Sequence, residues 1–100
     1  MALALFYYDE AILDIRDAKK WYSEQQKGLE KRFAEDVKQC INRLQKDPLH
    51  YEIRYRGVRL THCATFPYSI HFYIDEPAKR LVIVAIVHQH RRPEFAKRRK

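Results

Sequence analysis

The sequence predicts an α+β domain of order β-α-α-β-β-β, with a helical hairpin packed on one face of a mostly antiparallel four-stranded sheet. Three observations carry that reading. Apolar residues recur at helical spacing in two runs between Asp9 and Lys46, interrupted at Gly28. From Tyr68 onward the side chains alternate, with Tyr68, Ile70, Phe72 and Ile74 facing one way and Ser69, His71 and Tyr73 the other, as in a half-buried strand. From Leu81 to Val87 every residue is apolar, which suits a central strand covered on both faces.

Taken in order, Ala2 to Tyr8 is a short apolar and aromatic run and reads as the first strand. Asp9 offers an oxygen for an N-cap, and Glu10 complements the positive end of the helix that follows. Ala11, Ile12, Ile15, Ala18 and Tyr22 form that helix's apolar stripe, with Arg16, Asp17, Lys20 and Glu24 outside it. Gly28 suits the left-handed residue after a helix end. The second helix carries Phe33, Val37, Cys40, Ile41 and Leu44 on a narrow face and stops at Pro48, whose ring cannot continue it. Trp21-Tyr22 could stack bases, although Tyr22 beside Ala18 reads as core.

Residues 49–65 admit two readings. Tyr51, Ile53 and Tyr55 alternate with Glu52, Arg54 and Arg56, and Val58 and Leu60 alternate with Arg59 and Thr61. This is either one bulged strand or a loop followed by a strand, with Gly57 as the break in both. Phe66-Pro67 turns the corner into the Tyr68 strand, and Asp75-Glu76-Pro77-Ala78-Lys79 is polar and short enough to close a hairpin. Counted by simple alternation, Val82, Val84, Ile86 and His88 share the face that the helices cannot reach. That face needs cover from the chain's own ends, a second copy or a partner protein.

Composition bounds the rest. One hundred residues, 46% apolar with only 2 Gly, make one globular domain spanning 1–100. The net charge of +7 is concentrated in residues 91–100, where six basic groups (Arg91, Arg92, Lys97, Arg98, Arg99, Lys100) against one acid (Glu94) supply +5 of it. This tail is a candidate contact for nucleic acid or an acidic protein. Cys40 and Cys63 match no metal spacing and read as reduced thiols, Cys40 on a buried stripe. The first eight residues lack the basic start of a signal peptide, and no apolar run reaches the roughly 20 residues of a membrane span. A cytoplasmic protein is expected.

The residues Trp21-Tyr22, Gly28-Leu29, Phe33, Pro48, Arg59, Phe66-Pro67-Tyr68-x-Ile70-x-x-Tyr73 and Ala85-x-x-His88-x-x-Arg91-x-Pro93 resemble, in this order and spacing, the RelE/ParE family of toxins from bacterial type II toxin–antitoxin modules. The resemblance spans nearly the whole chain. It implies a small cytoplasmic toxin neutralised by a cognate antitoxin, whose disordered C-terminal segment would wrap the toxin and cover the bare sheet face. Val82, Val84 and Ile86, with Arg91, Arg92, Lys97, Arg98, Arg99 and Lys100, are then the candidate partner-binding residues. RelE-like members cut messenger RNA on the ribosome, and ParE-like members poison DNA gyrase.

RNA cleavage needs a general base, a general acid and cations on the phosphoryl oxygens, with no metal. Arg59, His71, His88, His90 and Arg91 are the candidates for those roles. Arg54, Arg56 and Arg59, interleaved with Tyr51 and Tyr55, are candidates for nucleic-acid binding, or else charges that protect a sheet edge. RelE-like nucleases usually carry an arginine directly after the tyrosine that opens this strand, and often a catalytic tyrosine near the C-terminus. Those positions hold Ser69 and Phe95. The expected function is therefore a ParE-like gyrase inhibitor. A ribosome-dependent endoribonuclease is the first alternative, and an antitoxin-binding module without toxicity the second. His71, His88 and His90 could share a metal, but no carboxylate or cysteine has an evident place beside them, so no metal or cofactor is expected.

Overall fold

In a computed structural model, which describes residues 3–91 and 94–100, the chain forms a five-stranded sheet with two long helices. Strand β1 (Ala4–Tyr7) leads into α1 (Asp9–Gln25) and α2 (Leu29–Lys46). A single 3₁₀ turn (Pro48–His50) precedes β2 (Ile53–Tyr55), β3 (Val58–His62), β4 (Tyr68–Asp75), β5 (Arg80–His88) and the short α3 (Glu94–Lys97). The sheet order is β1-β5-β4-β3-β2, with β1 parallel to β5 and every other pair antiparallel. The first-strand expectation included Ala2, which lies outside the described residues.

The helical hairpin forms as its periodicity dictates. The joint between α1 and α2 places Gly28 at φ 87°, a conformation that a Cβ disfavours. The N-cap of α1 is the extended Tyr8 and not Asp9, which is the first helical residue and complements the helix dipole with Glu10. Phe33, Val37, Cys40, Ile41 and Leu44 are all buried. They pack with Ala11, Ala18 and Tyr22 on Tyr68, Ile70, Phe72, Leu81, Ile83 and Ile86 of the sheet. Rings dominate this core: Phe33 lies 4.9 Å from Tyr68, 5.3 Å from Tyr22 and 5.5 Å from Phe66.

Gly57 is a break, and it divides the 49–65 stretch more sharply than either expected reading. Arg56 (φ 40°) and Gly57 (φ 79°) turn a tight hairpin, so β2 and β3 are separate strands and the sheet has five strands where four were expected. Along β4 the alternation holds as read. Along β5 it does not. His71 opposes Ala85 while Phe72 opposes Ile83, so Val84 is an extra, bulged residue. Beyond it the faces exchange: Ile86 opposes Ile70 and His88 opposes Tyr68 on the helix side, while Val82, Val84, Ala85 and Val87 face away.

That far face is covered by the chain itself. Val84, Ala85, Val87 and Ala96 of α3 form a second buried cluster, flanked by Tyr8, Tyr73 and Phe95. Of the three covers expected, the chain's own end is present, and Val82, Val84 and Ile86 are buried within the chain; the face assigned to Ile86 is corrected, because it belongs to the helix-side core.

Candidate functional site

The bulge in β5 organises the far face. β1 ends where the amide of Tyr8 donates to the Ile83 carbonyl, leaving the next stretch of the β5 edge without a neighbouring strand. Side chains take over. The Asp14 carboxylate of α1 accepts from the Ile86 amide at 3.0 Å, and Arg99 donates to the Val84 carbonyl at 3.0 Å. Arg99 and Asp14 join in a bidentate pair, 2.7 and 3.0 Å, and both are largely buried. Asp14 raises the Arg99 pKa further above its already high value.

The described part of the basic tail is therefore a structural closure. Phe95 lies under two guanidinium groups, with Arg91 at 4.4 Å and Arg99 at 5.0 Å from its ring centre. Lys100 donates to the Arg56 carbonyl at 3.1 Å and stands 4.4 Å from the ring centre of Tyr73, and Arg56 donates to the Lys97 carbonyl at 3.3 Å. Lys97 and Arg98 remain exposed. Arg92, a candidate partner contact, and Pro93, part of the C-terminal motif, lie outside the described residues.

The five candidate groups for acid–base and phosphate chemistry do not converge as one set: His88, His90 and Arg91 gather at the end of β5, the two imidazoles 5.3 Å apart and Arg91 on the recess that His88 lines, while Arg59 and His71 stand apart from them. His71 is 1% exposed on the far face and shares a 2.7 Å hydrogen bond with the Tyr55 hydroxyl. Burial, reinforced by the Arg99 charge, pulls its pKa down to about 4, so it is neutral at neutral pH. Arg59 sits on the opposite face, across from Phe72, and donates to the Tyr51 carbonyl at 2.5 Å. His88 faces the helix side, where its ring lies 5.1 Å from Tyr68 and its Nδ1 accepts from the His90 amide at 3.1 Å. His90 and Arg91 are exposed beyond the strand end. Arg54 is exposed beside Glu52 at 3.9 Å, Arg56 lies in the β2–β3 turn, and Arg59 is turned inward, so these three arginines present no common surface. Ser69 is buried and bonded to His62 Nδ1 at 2.9 Å. Among the described residues no group of three His, Cys, Asp or Glu side chains is placed to hold a metal ion, and no helix is long and apolar enough to cross a membrane.

The geometry does explain why the two halves of the C-terminal motif go together. The Gln89 amide donates to the Pro67 carbonyl at 2.8 Å, and Tyr68 pairs with His88, so Phe66-Pro67-Tyr68 and His88-x-x-Arg91 form one corner. A polar recess of about 200 Å³ opens beside it, lined by Asp14, Asp17, Tyr68, His88 and Arg91.

Sequence reasoning missed a surface elsewhere. An apolar groove runs between the exposed β1 edge of the sheet and the helices, lined by Leu5, Tyr7, Ile12, Ile15, Val37 and Ile41, with Arg16, Lys19 and Lys38 on its rim. Ile12 was read as core and is exposed, as is Phe6 on the edge strand. The available signal was the width of the α1 stripe. Ala11, Ala18 and Tyr22 already fill the inward line, so Ile12 and Ile15 stand to one side of it. Trp21 is 55% exposed, while Tyr22 beside it is core as read.

The chain is similar in sequence to the family described as the ParE toxin of the type II toxin–antitoxin system, parDE, over residues 5–93. In structure it is similar to a chain from the chromosomal ParDE toxin–antitoxin system of P. aeruginosa, with a TM-score of 0.75 at 18% identity, covering 86% of this chain and 95% of that chain. At that identity the likeness is one of fold. No curated protein matches the chain in sequence.

Proposed function

This chain belongs to the ParE family of type II toxins, and from that premise we propose that it arrests growth by binding and inhibiting DNA gyrase in the cytoplasm, and that a cognate antitoxin holds it inactive. One observation supports a binding mode of action over RNA cleavage. The groups that could move protons or hold a phosphate are divided between two faces of the sheet, and His71 is sealed beneath the C-terminal segment and neutral. Attack by a 2′-hydroxyl needs an acid, a base and a cation within hydrogen-bond reach of one phosphodiester. His71 and Arg59 stand on opposite sides of the sheet, away from His88, His90 and Arg91, and in that last group the His88 Nδ1 is already engaged by the His90 amide.

For the antitoxin, the edge groove is the fitting dock in place of Val82, Val84 and Ile86. Its apolar floor and cationic rim suit a segment with an apolar row flanked by acids. The exposed Arg91, Lys97 and Arg98 would extend such a contact by charge.

The test is a supercoiling assay with purified gyrase and purified toxin. Supercoiling should fall with toxin concentration and recover on adding the antitoxin. Normal supercoiling at saturating toxin overturns the proposal. Cleaved messenger RNA in a purified translation reaction, with supercoiling intact, would move the reading to the endoribonuclease.

A further inference from the structure

Cys40 and Cys63 take no part in the groups described above, yet the fold brings them together with care. Asp36 and Cys40 stand one helical turn apart on the same side of α2. Asp36 accepts from the Thr65 amide at 3.2 Å and from the Phe66 amide at 2.7 Å. The Cys40 thiol donates to the His62 carbonyl at 3.6 Å. The helix thus grips the segment 62–66 at both of its ends, and Cys63 lies inside the gripped stretch. Both cysteines belong to the same core cluster, 1% and 8% exposed, and the Cys40 thiol reaches the carbonyl of the peptide that joins His62 to Cys63.

We propose that Cys40 and Cys63 are a modification site for hydrogen peroxide, closing to an intramolecular disulfide that staples α2 to the corner between β3 and β4. Cys40 is the attacking group. The neighbouring Cys63 thiol brings the Cys40 pKa down to about 7, and Cys40 together with burial pushes that of Cys63 up. The Cys40 thiolate takes one peroxide oxygen, the O–O bond breaks, and the departing hydroxide is protonated to water. Cys40 is then a sulfenic acid. The Cys63 sulfur attacks the Cys40 sulfur, the S–O bond breaks, and the hydroxide leaves with the Cys63 proton as a second water. Two thiols have lost two hydrogens and one peroxide has become two waters. Burial of both sulfurs favours so small an oxidant over bulky ones such as glutathione disulfide.

The test uses the full chain, reduced, freed of reductant and treated with hydrogen peroxide. The intact mass should fall by two hydrogens, and peptide mapping should return one linked pair containing Cys40 and Cys63. The melting temperature should rise by roughly 10 °C, because the bond restricts the unfolded chain, and dithiothreitol should reverse both changes. In Cys63→Ala no cross-link can close, so the intact mass should gain one oxygen on Cys40 in place of losing two hydrogens, and more slowly, because the group that lowers the Cys40 pKa is gone. Oxygen addition without a cross-link in the unaltered chain overturns the proposal. So does a disulfide that forms only between chains, or thiols that react only after unfolding. The mass and mapping of the unaltered chain decide the matter even where a variant fails to fold.

Discussion

The two faces of the sheet are closed by different kinds of interaction. The helix side is closed by two amphipathic helices and a cluster of rings, with Asp36 the one buried charge on α2. The far side is closed by a short segment whose apolar contribution is small, Ala96 and part of Phe95. It is held by the Arg99–Asp14 pair, by guanidinium groups over Phe95 and by Lys100 over Tyr73. Apolar burial is non-directional and indifferent to pH. An ion pair with two hydrogen bonds to a strand edge is directional, and it fails as a unit when one member is lost. The helix side therefore carries the stability of the fold, and the far side carries its conditionality.

Three changes would break or sharpen that contrast. The largest effect belongs to the helix side. Phe33→Ala, at a site with no exposure that touches three other rings, should cost about 4 kcal/mol in denaturant unfolding and weaken protection from hydrogen exchange throughout the sheet. A loss confined to α2 would mean that the core is not one cooperative unit. Next comes Arg99→Met, which leaves the Asp14 carboxylate without its partner and the Val84 carbonyl without its donor. About 3 kcal/mol is expected, with the loss of exchange protection concentrated on β5 beyond Ile83 and in α3. Equal loss across both faces would erase the distinction.

The smallest effect, taken at pH 5, is one of pH. His71 is pulled down to about 4 in the folded chain, while an unfolded histidine titrates near about 6.5. As pH falls through about 6.5 the unfolded state takes up the proton first, so stability is lost on acidification. The loss should reach about 2 kcal/mol by pH 5 and stop growing below about pH 4. His71→Gln, which keeps a hydrogen-bonding group for Tyr55, should flatten that slope when unfolding is followed from pH 7 to 4.

The same contrast governs what could be read from the sequence. Helix-side features repeat locally. The stripe of α2 and the alternation of β4 are set by neighbours a few residues away, and Phe33, Ile70 and Phe72 were legible for that reason. The far side depends on groups distant in sequence. The bulge at Val84 is satisfied by Asp14 and Arg99, seventy-two positions before Ile86 and fifteen after Val84. No periodicity announces such a residue, and one extra position exchanges every side chain after it. Ile86 and His88 were therefore assigned to the wrong face, and the sequence left open which of three covers closes the face where the chain has its second core. Gly57 marked a break without revealing that both flanks pair with each other. The candidate catalytic set is divided for the same reason, because it gathered Arg59, His71 and His88 by chemistry when only the register could say which of them share a side.

The parallel pairing of β1 with β5 also sets the order in which the molecule can be built. Ala4 finds its partner at Arg80, after both helices and three strands have been made. A nascent chain thus holds a finished helical hairpin whose apolar side has only β1 beside it until β4 and β5 emerge. Contacts of such long separation form slowly, and exposed apolar surface invites association in the interval. Newly made toxin should pass through a period in which it is sticky and harmless, and an antitoxin or chaperone that meets it then has the advantage over the target.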